Sequence, residues 1–86
     1  MASVGDVRER IARAKAKAEE SIGAIQQAAL ALDEARAELQ DATSDSGQDE
    51  IHQARNMLVE AVQNLTLVQG TVNASMSSAE GYAGRL

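Results

Sequence analysis

The sequence predicts an all-α fold: a two-helix antiparallel coiled-coil hairpin, expected to pair with a second copy as a four-helix bundle. Three observations lead there. The composition is built for helix, with no proline and only one aromatic residue, Tyr82, among 86. Ala, Glu, Gln, Arg and Leu dominate, and these are the strong helix formers. Two heptad repeats run on either side of a short polar break. The turn chemistry and the heptad register then agree on where the chain reverses. Although 44% of the residues are apolar, nearly half of these are alanine, and aromatics normally supply the largest buried areas. A compact globular core is therefore not expected, and the chain reads as one domain, 1–86.

Helix one is expected over about 4–43. Ser3 followed three residues later by Asp6 is close to a capping box, in which a hydroxyl and an acid satisfy free backbone N–H groups. Apolar and small residues then step in alternating threes and fours: Val4, Val7, Ile11, Ala14, Ala18, Ser21, Ile25, Ala28, Leu32, Ala35, Leu39 and Ala42. This is a heptad pattern. With Val4 as position a, the larger residues fall mainly at a and the small ones mainly at d.

The run from Thr43 through Ser44, Asp45 and Ser46 to Gly47 competes for backbone hydrogen bonds and favours a turn, expected at about 44–47. Ser46 with Asp49 repeats the capping signature. Helix two is expected over about 48–83, on the repeat Ile51, Ala54, Leu58, Ala61, Leu65, Val68, Val72, Ser75, Ala79, Tyr82 and Leu86. In an antiparallel pair each a faces a d, so paired residue numbers share a constant sum, here 93 for a turn centred between Ser46 and Gly47. The expected layers are Leu39 with Ala54, Ala35 with Leu58, Leu32 with Ala61 and Ala28 with Leu65. Each sets a large residue against an alanine, which keeps layer volume even. Nearer the open end, Ala18 with Ser75 and Ala14 with Ala79 leave a thin waist. Either the helices simply close up there, or Ile22 and Met76 from the flank, or a partner's side chain, fill it.

Ile22, Val62 and Met76 lie at e, widening the apolar stripe beyond a strict a/d seam, and a stripe that wide suits a bundle of three or four helices. Leu30, Val59 and Leu67 lie further round, where a solvated hairpin would be polar. Charge is segregated as well. Arg8, Arg10, Arg13, Lys15 and Lys17 crowd the start of helix one, while Asp33, Glu34, Glu38, Asp41, Asp45, Asp49 and Glu50 surround the turn. Both clusters on helix one oppose its macrodipole. Pairs spaced i,i+4, namely Asp6–Arg10, Glu9–Arg13 and Lys15–Glu19, recover a few tenths of a kcal/mol each. A second hairpin laid antiparallel would set a basic end beside an acidic one. The candidate interface is accordingly Ile22, Leu30, Val59, Val62, Leu67 and Met76, with Arg8, Arg13, Lys17, Glu38 and Asp41 as its charged ends.

Little in the chain suggests chemistry. With no cysteine there is no disulfide or thiolate metal site. His52 beside Asp49 and Glu50 falls short of the converging ligand set a metal needs. No Ser or Thr has an evident base, and Glu34 with Glu38 lacks an enclosing pocket. No enzyme activity, cofactor or metal is expected. A net charge of −5 argues against nucleic acid as the main partner. Asn64-Leu65-Thr66 and Asn73-Ala74-Ser75 match the glycosylation pattern but lie within the predicted helix. The Arg8 to Lys17 stretch could touch anionic lipid, but its apolar face is mostly alanine, so membrane binding is not the leading expectation. No signal peptide or membrane span is read from the sequence, and a cytoplasmic location is expected.

The size, acidity, hairpin plan and the Tyr82-Ala83-Gly84-Arg85-Leu86 tail resemble the small WXG-type hairpin proteins of type VII secretion systems. The text Ile22-Gly23-Ala24-Ile25-Gln26-Gln27-Ala28 and Leu32-Asp33-Glu34-Ala35 is similar to short Ala/Gln-rich actinobacterial hairpins. The chain departs from the WXG pattern at two places. Ser46-Gly47-Gln48 carries no tryptophan, and Leu86 stands where the acid of the Y-x-x-x-acid export signal would be. The resemblance implies a small partner, chaperone or targeting factor for a larger helical protein rather than an exported effector. From the residues themselves, the leading expectation is a self-associating helix-packing module. A subunit that polymerises through Leu30, Val59 and Leu67, and a membrane-surface binder, are the alternatives.

Overall fold

The computed structural model describes residues 2–42 and 49–86, and these form two α-helices with no strand among them. The first, α1, spans Val4–Ala42 and the second, α2, Asp49–Gly84. At 1.5 Å per residue, helices of 39 and 36 residues placed end to end would reach about 110 Å. The molecule measures 64 × 17 × 15 Å, so the helices lie side by side as a hairpin. The expected turn, including the Ser46 cap, lies outside the described residues.

The start of α1 follows from its cap. The amide of Asp6 donates to Ser3 Oγ at 3.1 Å, and the amide of Val7 donates to the Ser3 carbonyl at 3.0 Å. One of the orphan donors of the helix N-terminus, Asp6 N–H, is thereby satisfied by the side chain, and the bond from Val7 is the first of the intrahelical ladder. At the far end of α2 the chain tightens, with Arg85 N–H donating to Tyr82 O and Leu86 N–H to Ala83 O, the i→i+3 pattern common at helix ends. Thr66 and Thr71 return their hydroxyls to the carbonyls of Val62 and Leu67, which lets them sit inside α2.

The register of the seam differs from the one the sequence predicts. Apart from Ala37, at f, the half-buried residues of α1 from Ala18 onward are Ala18, Ile22, Ile25, Ala29, Leu32, Arg36 and Leu39. Those of α2 include Leu58, Val62, Leu65, Gln69, Val72, Met76, Ala79 and Ala83. In the heptad lettering above these are positions a and e. The predicted d residues Ala14, Ser21, Ala28, Ala35 and Ala42 are exposed, as are Val68, Ser75 and Tyr82. The predicted layers that use Ala28 and Ala35 are therefore replaced. Ala54 and Ala61, nearer the turn, keep their half-buried places.

The cause is apolar area. On α1 the e stripe offers Ile22 and Ala29 where the d stripe offers Ser21 and Ala28, and on α2 it offers Val62 and Met76 where d offers Ala61 and Ser75. At about 25 cal/mol per Å² of buried apolar surface, a rotation of each helix toward e is favoured. The same rotation fills the thin waist with Ile22 and Met76. Its cost falls on Val68 and Tyr82, left 47% and 49% exposed.

Gly23 and Gly70 stand on the outer surface, and a Cβ added at either meets nothing within 4 Å. Gly23→Ala and Gly70→Ala are each expected to stabilise the hairpin by about 0.5–1 kcal/mol, the helix-propensity difference. Thermal unfolding followed by far-UV circular dichroism checks this, and a fall in melting temperature would show that another helix approaches one of these glycines.

Candidate interaction surface

No residue among those described is fully buried, so even the seam is only half covered. The reason is elementary: each of two helices can hide one stripe, and this chain has more than one apolar stripe per helix. Leu30, Met57 and Leu67 are 66%, 69% and 70% exposed, and Val4, Val59, Val68, Tyr82 and Leu86 are also open to solvent.

These residues do not form one patch. Val68 and Tyr82, at d, flank the seam on the side that carries the exposed alanines of α1. Val59, at b, flanks it on the other side, and Leu30 lies beyond. On this second side an open groove of about 450 Å³ runs between the helices. Its floor is Ile25, Ala29, Val62 and Leu65, and Gln26, Leu30, Asp33, Thr66 and Gln69 form its rims.

Of the residues singled out from the sequence, Ile22, Val62 and Met76 are half-buried in the stripe the helices turn toward each other, with Val62 also at the groove floor. Leu30, Val59 and Leu67 are exposed on separate lines of the surface. Arg8 turns inward across the hairpin, its Nε donating to Ala83 O at 3.4 Å. A guanidinium there meets the carbonyl end of α2, where positive charge is favoured. Arg13 pairs with Glu9 at 2.6 Å, as the i,i+4 spacing predicts, and Lys17 reaches Glu20 at 3.3 Å. Both pairs stand in solvent. Glu38 and Asp41 are exposed at the opposite end of α1.

Lys15 departs from the predicted pairing with Glu19: its Nζ crosses to Glu80 Oε2 at 3.3 Å. Two polar cross-helix contacts among the described residues join residues whose numbers sum to 91 and 95, on either side of the predicted 93. Heptad spacing gives no seam role to Arg36, a base within the acidic cluster round the turn, which occupies a seam position between Leu32 and Leu39. Its side chain is 28% exposed, with Nε donating to Asp33 Oδ1 at 2.8 Å and Nη1 to Gln40 Oε1 at 3.0 Å. The signal was present: an arginine in the same e stripe as Ile22 and Ala29, three residues after an aspartate.

The hydrogen bond from Arg36, and after it the guanidinium charge, hold the Asp33 carboxyl below its ordinary value of 3.8. The pairing therefore contributes stability that is complete above the unfolded carboxyl pKa of about 3.9 and lost as pH falls through the lowered folded value. In an NMR titration the Asp33 carboxyl is expected to have its midpoint below 3.8. In Arg36→Leu that midpoint is expected to rise back toward the ordinary carboxyl value.

Among the described residues no three His, Asp or Glu side chains gather to hold a metal ion, and His52 is half-buried near the start of α2. No helix among them is long and apolar enough to cross a membrane. Fold and surface together define the class of molecule: a helical hairpin with a thin seam and incompletely covered flanks. No protein-family model, curated protein or solved structure matches the chain.

Proposed function

We propose that this chain is a non-enzymatic helix-packing module that self-associates and serves as a small partner, chaperone or targeting factor for a larger helical protein in the cytoplasm. One observation carries the reading. The described hairpin has no fully buried residue, while large aliphatic side chains stand exposed along both helices. A single small core rarely supplies more than ~3–5 kcal/mol, and with no cysteine to staple the chain, helix association is a direct way to add burial. The hairpin plan and the WXG-type resemblance fit a small partner of a helical protein.

Size-exclusion chromatography with light scattering, at low and high salt over a range of concentration, tests this. A stable dimer of the 9.1 kDa chain, weakened by salt, is the expected result. A folded monomer at every concentration would overturn self-association, leaving a different helical protein as the partner to be sought. Open-ended growth in mass would instead favour the polymerising subunit, for which the separated positions of Leu30 and Leu67 are the specific support.

A further inference from the structure

Resting on the self-association just proposed, we infer that the partner surface is the flank carrying the exposed d-side face of α1, and that its occupant is a second copy of this chain laid antiparallel. The face runs through Lys17, Ser21, Ala24, Ala28, Ala31, Ala35 and Glu38, which step by alternating fours and threes and are all exposed. It is thus a complete helix-packing stripe that the hairpin's own seam, at a and e, leaves unpartnered.

Its charges decide the occupant. Lys17, which also reaches the exposed Glu20 at 3.3 Å, ends the stripe on one side and Glu38 on the other, with Arg13, Glu20 and Glu34 beside them at the c positions. The centre is alanine, and the charges are reversed about a point close to Ala28. A helix that complements this face must therefore be acidic where α1 is basic and basic where it is acidic, with small residues between. The same face turned end for end meets that description. Each Lys17 then lies near the Glu34–Glu38 segment of the other copy, so every favourable contact occurs twice. A parallel copy would set Lys17 beside Lys17 and Glu38 beside Glu38.

Small side chains at the centre let two helix backbones approach closely, and the dyad carries the exposed Val68 of the neighbouring α2 flank toward its counterpart. The flank, 64 Å long on a molecule 15–17 Å across, is large enough for the ~800 Å² per partner that a stable interface buries. The groove beside Leu30 lies on the other side of the seam and stays open in this arrangement.

Two chains with reversed ends provide the test. Arg13→Glu with Lys17→Glu makes the face wholly acidic, and Glu34→Lys with Glu38→Lys makes it basic. Each is expected to weaken its own dimer about ten-fold or more at low salt, and an equimolar mixture is expected to restore wild-type affinity as a heterodimer. Recovery on mixing cannot come from a change in either hairpin's own fold. Because the natural chain has no cysteine, single cysteines report the face directly. A short bismaleimide is expected to link Ala28→Cys to itself across the dyad and to leave Leu30→Cys unlinked. If the wild type dimerises but Leu30→Cys links and Ala28→Cys does not, or mixing fails to restore affinity, this face is wrong while self-association stands. If the wild type is monomeric throughout, both fall.

Discussion

Leu65→Ala is expected to lower the stability of the hairpin by about 2 kcal/mol, near the bottom of the range for truncating a buried leucine because the seam is only half covered. Leu65 is a half-buried a residue at the groove floor, beside Val62 and facing the Ile25–Ala29 turn of α1. In a chain of this size, 2 kcal/mol corresponds to about 10 °C in melting temperature. Leu67→Ala, two residues on, is the matched control. Its side chain is 70% exposed, and its loss is expected to change stability by no more than about 0.5 kcal/mol. Thermal unfolding of both variants at one protein concentration reads the difference, the concentration being held because assembly raises apparent stability by mass action. Equal losses would mean that Leu67 is covered in the assembled protein, and would move the interface to the outer line of α2.

The second large effect is expected in the opposite direction. Arg36→Leu replaces a guanidinium in the seam, between Leu32 and Leu39, with a side chain that buries apolar surface there. What is lost is the pairing with Asp33 and Gln40, and Asp33 stands mostly in solvent, where such pairs add little to stability. Leucine burial contributes about 1.5–3 kcal/mol when complete, so a net gain of about 1 kcal/mol is expected. A second consequence follows from specificity. A polar residue at one seam position disfavours registers and oligomers that would desolvate it fully. The leucine variant is therefore expected to melt several degrees higher and to show a broader distribution of oligomers by light scattering. A destabilised variant with unchanged oligomeric state would show that the guanidinium is held by more than these two partners.

These two residues also mark how far the sequence could be read. Leu65 was assigned to the seam from heptad spacing, because a large aliphatic residue at a belongs to any register the helix can adopt. Arg36 was not assigned, because heptad reading ranks residues by hydrophobicity and an arginine reads as surface. In the structure its long apolar stem covers the seam while its head reaches outward to Asp33. Lys15 shows the same limit. Two acids lie within its reach, Glu19 on its own helix and Glu80 across the seam, and only the placement of α2 selects Glu80.

The sequence by itself determined the number of helices, the cap at Ser3 and the hairpin plan. These follow from local chemistry: the absence of proline, the spacing of aliphatic residues, and a hydroxyl placed before an amide that needs a partner. The tertiary structure decided which two of the three apolar stripes on each helix face inward. Positions a, d and e were all candidates, and sequence reasoning took a with d, as two-stranded coils commonly do. Away from the turn the helices turn a with e inward, where Ile22 and Met76 offer more area than Ser21 and Ser75 while Val68 and Tyr82 are left outside, a comparison made only when both helices are placed together. That same choice leaves the alanine face of α1 outside, with opposite charges at its two ends.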